Sequence, residues 1–536
     1  MGANDGRTQY TPLDNAAPGG DLDFDGLEPG AVLLVSAPMR GHVNQSLIVA
    51  ETLATRGYDV HFATIGARAQ PWVERGAVPG VKPVRVPGPD DANVFEGPEW
   101  EAVTRQRCWA TGARARMALR GFLLGAKPRI AAMTQRYAEF MQQAVDELKP
   151  QAILLDYDLV AFCPLPGGKE GPGCPVITFN TASANLEYPS PFDLGIGALL
   201  SYVFEVDTSS AANFVTGLGY QALALADACT QNPVLWLKSL VGMALGSHPW
   251  EPDYTLMLTS ADMVYNQGHR GSSSSSYMLT GPLLPPLPKG PGTLPADLED
   301  WLEDERPCVY VSFGTVCDTS RPAFLKALVK GLLAGAEFYQ VLWSLPEVYQ
   351  KSLPPLPEGP ECNIRFESFV PQYALLAREN VQLCITHCGL NTSNECIATG
   401  TPVLGIPMVH DQFYNAVRLK EIGIGQTLHR KLVTAERVKR TVMTMLGLSA
   451  EGKPEDSPYG SRATAGAEMV DLEVNRKAAG DAIQFCILRQ MRRDARRARR
   501  EERASLGLKT RKKPKKEQDP NDIIRKESSK RPWKKT

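Results

Sequence analysis

His42 sits in the run PMRGHVN (38–44), directly after an apolar segment. An imidazole there is a base of the right strength to take a proton from a hydroxyl near neutral pH. A base of this kind needs a carboxylate to orient it. Asp156 ends the apolar run AILLD (152–156), a costly place for a charge unless it has a partner. Asp158, two residues on, is the alternative orienter.

A second constellation fills Phe369–Asn415. An apolar run ends at His387, Cys388-Gly389-Leu390 reads as a tight turn, and Asn391 or Thr392 is placed to cap the helix that follows. Backbone N–H groups at a helix start, flanked by His387, Gly389, Asn391 and Thr392, suit a phosphate. Glu395 is one helical turn beyond Asn391, where a carboxylate suits a ribose diol. Asp411 and Gln412 follow the next apolar run and offer acceptors and a donor to sugar hydroxyls. Upstream, SFGT (312–315) also ends an apolar run. Gly314 there lets the backbone approach a phosphate closely, with the Thr315 hydroxyl beside it.

These residues need a scaffold that brings strand ends together. AVLLVSAP (31–38) reads as a strand buried on both faces, 45–56 has apolar residues at helical spacing and stops at Gly57, and YDVHFAT (58–64) is the next strand. Strand, helix and strand make a βαβ unit and hence a parallel sheet. A helical pattern over about 114–148 leads into AILLD and then PVITFNT (175–181). A second series runs through CVYVSFG (308–314), QVLWSL (340–345), NIRFESF (363–369), VQLCITH (381–387) and TPVLGIP (401–407). The expected architecture is α/β: two Rossmann-like αβα domains facing each other across a cleft lined by strand C-ends. The expected division is a disordered lead-in at 1–29, a first domain at 30–280, a Pro-rich linker at 281–300 and a second domain at 301–448. A loop insertion over about 449–466 and a helical region complete 449–504, and a basic disordered tail fills 505–536.

The spaced set resembles the nucleotide-sugar signature of the UDP-glycosyltransferases, the family 1 glycosyltransferases of GT-B fold. That signature runs as aromatic-x-Pro-Gln, His-x-Gly, an Asn-Ser pair, a Glu eight after the His and an Asp-Gln sixteen after the Glu. Here it is Phe369-Val370-Pro371-Gln372, His387-Cys388-Gly389, Asn391-Thr392, Glu395 and Asp411-Gln412. The resemblance covers roughly 31–445 and is densest over 308–425. It implies that Phe369 stands near the uracil and that Val370 offers it backbone hydrogen bonds. It places the diphosphate on His387, Asn391 and Thr392, the ribose on Glu395, and the sugar, by family habit glucose, on Asp411 and Gln412. It likewise implies a His42–Asp156 dyad and an inverting displacement without a bound metal or other cofactor, the UDP-sugar being a co-substrate. Plant members have Trp where this chain has Phe369 and Leu390, and Ser where it has Thr392. The first change keeps a stacking ring, the second loses a sugar contact, and the third keeps the hydroxyl.

Other chemistries fit less well. Cys384, His387, Cys388 and Cys396 match no common zinc spacing, and no Asp-x-Asp lies in either phosphate loop. APMRGH contains no GxGxxG after the first strand, which disfavours a dinucleotide oxidoreductase. A nucleotide-sugar epimerase, a lipid-carrier sugar transferase and a non-catalytic binding protein acting through its tail are the competing readings. The oily stretches near 100–125 and 185–260 suit a lipophilic alcohol as acceptor.

The chain has 536 residues, 43% hydrophobic and 22% charged, which excludes global disorder. Its eleven scattered cysteines and the absence of a signal-peptide pattern predict a cytoplasmic protein. Residues 489–536 hold 20 Lys+Arg and 7 Asp+Glu, so an acidic body carries a basic tail. The tail reads as a solvated extension, as a peripheral contact with anionic membrane, or as a nucleic-acid or import element. Nucleic acid is the least expected partner, because Trp533 alone supplies an aromatic there.

Overall fold

The computed structural model describes residues 26–64, 79–86, 99–100, 102–103, 125–160, 162–167, 171–180, 254–260, 263, 276–288, 292–304, 306–314, 321–357, 359, 362–409, 411–449, 452–455 and 457–506. Outside them lie most of the expected lead-in, Thr315, both oily stretches except their ends, the middle of the linker and the tail beyond residue 506.

Two parallel sheets organise the chain. The first has the order β3-β2-β1-β4-β5-β6-β7. Its strands are β1 (Ala31–Ser36), β2 (Asp59–Thr64), β3 (Val81–Arg85), β4 (Ala152–Asp156), β5 (Val176–Asn180), β6 (Tyr254–Met257) and β7 (Ser276–Leu279). The second has the order β10-β9-β8-β11-β12-β13. Its strands are β8 (Cys308–Ser312), β9 (Gln340–Ser344), β10 (Ile364–Glu367), β11 (Val381–Thr386), β12 (Val403–Gly405) and β13 (Gly425–Thr427). The central strands β1, β4 and β8 are largely apolar up to the polar residue that ends each, because helices cover both faces of a parallel sheet.

In each sheet the strand order reverses once, between β1 and β4 and between β8 and β11. Ligands of open α/β sheets bind outside the strand C-ends at such a reversal. The register aligns Val35 with Leu155, and Ser312 with Thr386. The segment after β1 therefore lies beside Asp156, and the segment after β8 lies beside His387.

Helix packing holds the strand ends in place. Helix α1 (Arg40–Ala54) begins four residues after β1. Helix α2 (Lys127–Leu148) buries Met133, Tyr137, Phe140, Met141 and Ala144, a one-sided helical spacing, in the same core as Val35, Ile153 and Leu155. Each such large side chain contributes roughly 1.5–3 kcal/mol by leaving water. In the second half α3 (Pro322–Leu333) covers β8 and β9, while α4 (Gln372–Leu376), α5 (Leu390–Thr399) and α6 (Gln412–Glu421) carry the expected donor-site residues.

Several expectations change. Residues 449–466 are not simply a loop insertion. Pro458–Glu468 forms a helix, α7, whose Ala463 enters the second domain's core. Glycines at 460 and 466 hide this helix in the sequence, whereas Pro458 in its first turn starts it. The described end of the oily stretch is strand β6, and the end of the serine run is strand β7. The described part of the Pro-rich linker is packed onto the fold. Leu283, Leu284 and Leu294 are buried, and Ala296–Trp301 is helical.

Helix α8 (Leu472–Ser505) returns to the first sheet's side. The Asn475 amide donates to the Pro282 carbonyl (3.1 Å), and Arg476 donates to Leu284 (3.2 Å). Arg56 meets the buried Asp481 at 2.8 Å, and Phe485 stands edge-on to Tyr254 with ring centres 6.2 Å apart. The described residues divide into two compact units, one up to Cys486 and one from Ile487 onwards.

Candidate functional site

Asp156 is fully buried at the end of β4. Its Oδ2 accepts from the Ala37 N–H (3.1 Å) and stands 2.9 Å from His42 Nδ1, while its Oδ1 accepts from the Asp158 N–H (3.2 Å). Three groups thus crowd the carboxylate, and with Nδ1 turned to Asp156 the Nε2 atom faces the other way, towards Asp158. Asp158 Oδ2 lies 3.8 Å from that Nε2 and is about one-third exposed. Asp156 therefore contacts Nδ1, and Asp158 stands beside Nε2. Burial by itself would lower the His42 pKa, but Asp156, Asp158 and Asp411 outweigh it and raise it to about 9. Burial and the neighbouring Asp156 likewise push Asp158 up, against the pull of His42.

The second cluster forms around His387. Gly314 has φ +66°, and a Cβ on it would lie 2.8 Å from His387 Cε1. A Cβ on Gly389 would lie 2.6 Å from His387 Nε2. Glycine is required at both positions for the two loops to close on the ring. His387 Nδ1 lies 3.1 Å from the Thr386 hydroxyl, and burial lowers the ring's pKa to about 4, so it is neutral at pH 7. Helix α5 starts at Leu390 with Gly389 as its extended N-terminal neighbour, and no side chain caps it. The expected capping by Asn391 or Thr392 does not occur, because both are already inside the first turn, where Asn391 accepts from Gln45 and the buried Thr392 accepts from Gln372. This leaves the first-turn N–H groups facing the His387 loop.

Thr392, Gln372 and Glu395 form a third group. The Gln372 amide donates to Thr392 Oγ1 (3.1 Å) and to Glu395, and its oxygen accepts from the Tyr310 hydroxyl (3.1 Å). Burial raises the Glu395 pKa to about 7 against the opposing effects of Gln372 and Arg40. Phe369 is 55% exposed with the Arg40 guanidinium 4.6 Å from its ring centre, whereas the Val370 side chain is core. Asp411 accepts from Asn415 (2.8 Å), and burial raises its pKa to about 7. Gln412 points inward, its oxygen accepting from the Met408 and Val409 N–H groups (both 2.9 Å).

The two halves meet at these groups. The Gln45 amide donates to the Asn391 side chain, and a Cβ on Gly41 would strike Asn391 Nδ2 at 2.3 Å. Asn394 accepts from Thr259 (2.8 Å) and donates to the Leu258 carbonyl (3.0 Å). Arg40, Gln45 and Asn394 are thus residues that the sequence did not flag. The first two share a helical turn with His42, which was their only available signal. Thr315 lies outside the described residues. Among the described residues no group of three or more His, Cys, Asp or Glu side chains is placed to hold a metal ion.

Residues 288–448 match the family model for UDP-glucoronosyl and UDP-glucosyl transferase. The UDP-glycosyltransferase 1 of Phaeomoniella chlamydospora is 29% identical over 30% of this chain and 36% of its own. A UDP-glycosyltransferase of Talaromyces amestolkiae is 30% identical over 39% of this chain and 42% of its own. The chain thus spans about two-fifths of the length of these relatives. The crystal structure of a UDP-glucose: anthocyanidin 3-O-glucosyltransferase in complex with UDP superposes with a TM-score of 0.61 over 86% of this chain and 99% of its own, at 16% identity. The two sheets therefore have the GT-B arrangement.

Proposed function

We propose that this chain, whose residues 288–448 match the family model for UDP-glucoronosyl and UDP-glucosyl transferase, is an inverting transferase that moves a hexose, glucose by preference, from a UDP-sugar to a hydroxyl of a lipophilic small molecule. The observation that carries this reading is the His42–Asp156 contact of 2.9 Å at the strand reversal of the first sheet, with Asp411 of the second domain near enough to act on His42.

The steps follow from the positions. Asp156 holds the Nδ1–H, so His42 Nε2 accepts the acceptor's hydroxyl proton. The freed oxygen attacks the anomeric carbon, and the bond to the UDP oxygen breaks with its electron pair. Attack and departure on opposite faces invert the configuration. The uncapped start of α5, with Gly314 and the neutral His387 beside it, meets the growing diphosphate charge. Thr315 is assigned to the same phosphates. Phe369 offers a face to the uracil beside the Val370 backbone. Glu395, held by Gln372, takes the ribose, and Asp411 takes the sugar hydroxyls. Gln412 shapes that turn through Met408 and Val409, and its role on the sugar is that of a support as much as a contact. Asn391 ties the phosphate loop to α1 through Gln45.

The resting His42 is a cation at neutral pH, so its proton must leave before it acts. Sugar hydroxyls engaging Asp411 weaken one of the three carboxylate pulls on the ring and favour that loss. The test is UDP release from a panel of UDP-sugars with a pool of lipophilic alcohols, for the wild type and His42→Ala. Acceptor-dependent release that collapses in the variant supports the reading. UDP binding without release from any donor and acceptor overturns the transferase assignment.

A further inference from the structure

The last helix carries a charge pattern that the proposed reaction does not use. From 491 to 506 every residue is exposed. Placed at 100° per residue, Arg489, Arg492, Arg493, Arg496, Arg499, Arg500 and Arg503 fall within an arc of about 120°. The stripe is about 21 Å long. The acids of this stretch, Asp494, Glu501 and Glu502, all fall on the other side of the helix. Arg497, at the stripe's margin, pairs with Glu501 at 2.9 Å, and Asp494 pairs with Gln490 at 3.2 Å. Met491 lies opposite the stripe and Leu506 beside it, so the helix has no broad apolar face to insert into lipid. Residues 507–536 add 12 Lys+Arg against 4 Asp+Glu.

We propose that the arginine stripe of Arg489–Arg503 docks this protein on an anionic lipid bilayer. The shape of the charge selects this partner. A flat surface meets one side of a helix, and here one side is cationic while the acids turn away from the plane. A nucleic-acid groove meets an inserted helix with phosphates on both flanks, and one flank here carries the acids. Residues 487–506 also contain no aromatic ring to stack on a base. Without an apolar face the attachment is electrostatic, so it weakens steeply with salt. Seven guanidinium groups on one line give reversible peripheral docking rather than insertion. Among the described residues no helix is long and apolar enough to cross a membrane. The inference is independent of the transferase reading, since it uses none of the cleft residues.

The test is co-sedimentation of the full chain with vesicles of phosphatidylcholine alone and with about one-third phosphatidylserine. The informative variant is R493D/D494R/R500E/E501R, which conserves net charge and composition but sets two acids in the stripe. With each arginine contributing about fivefold to partitioning, losing two from the stripe predicts at least about 25-fold weaker binding. Far-UV circular dichroism checks that the helix persists, and R489Q/R492Q/R496Q/R503Q removes stripe charge without placing acids there. Binding to the anionic vesicles only, lost in both variants and in high salt, is the expected result. Unchanged binding by the charge-conserving variant assigns attachment to net charge and overturns the inference. So does the absence of vesicle binding, or tighter binding to a duplex RNA than to anionic vesicles at the same salt.

Discussion

At the scale of single residues the cleft is governed by carboxylates around one imidazole. His42→Ala is expected to lower kcat by roughly 10²–10⁴-fold while UDP binding, measured by calorimetry, stays within a few-fold. Asp156→Asn removes the charge facing Nδ1 and puts an NH2 where one of two accepting oxygens stood, and should cost kcat on a similar scale. Asp158→Asn acts differently, because its carboxylate faces Nε2 at 3.8 Å. With His42 raised to about 9 by its carboxylates, kcat/KM of the wild type should climb with pH towards that value. Removing the Asp158 charge should move this limb to lower pH, and an unmoved limb would refute its influence on the ring. The same raised pKa predicts a stability effect. The folded protein holds the His42 proton more tightly than the unfolded chain does. That contribution is complete below about pH 6.5 and is lost as pH rises through about 9. Its full size is on the order of 3 kcal/mol, readable as a falling Tm across that window in the wild type but not in His42→Ala.

At the scale of elements the donor site depends on two loops that close on His387. Gly314→Ala would set a Cβ against the ring in a left-handed backbone, and Gly389→Ala would crowd Nε2 at the start of α5. Each substitution should weaken UDP binding at least tenfold by calorimetry, and Gly314→Ala should also cost about 1 kcal/mol of stability from its backbone alone. Equal affinity in both variants would show that the diphosphate does not sit between these loops. Helix α1 plays the matching part in the first domain. Its first two turns place Arg40 against Phe369, and Gly41 and Gln45 against Asn391. Gly41→Ala would push Asn391 away and should raise KM for the donor more than it lowers kcat.

At the scale of the whole molecule the fold is held by long-range ties between its ends. Arg56 and Asp481 are 425 residues apart and meet at 2.8 Å, with Lys477 also 2.7 Å from Asp481. Arg56→Ala should lower stability by about 1–2 kcal/mol, since the buried Asp481 keeps one cation. Asp481→Ala, which strips both cations of their partner, should cost at least as much. Denaturant unfolding of the two variants checks the order. The same region explains why a Pro-rich segment that reads as a spacer is packed: α8 donates to the carbonyls of Pro282 and Leu284.

What the sequence by itself determined were the features set by local chemistry. Strands buried on both faces, such as AVLLVS and CVYVS, announce a parallel sheet because nothing polar interrupts them. The glycines at 314 and 389 and the carboxylate ending AILLD were legible because each has a physical cause within a few residues, and the spacing from Phe369 to Gln412 through its resemblance to a family signature. Short strands with no long apolar run were not legible. Edge strand β3 carries Pro83 and half-exposed side chains, and β6, β7 and β13 have only three or four residues each. Only the tertiary structure decided that Asp156 rather than Asp158 holds Nδ1, since that turns on sub-ångström placement of two carboxylates from the same turn. It also decided that Asn391 spans to Gln45 instead of capping its helix, and that three carboxylates from two distant segments converge on His42. Such pairings join residues more than a hundred positions apart, and their energies depend on burial and distance, which the order of residues does not encode locally.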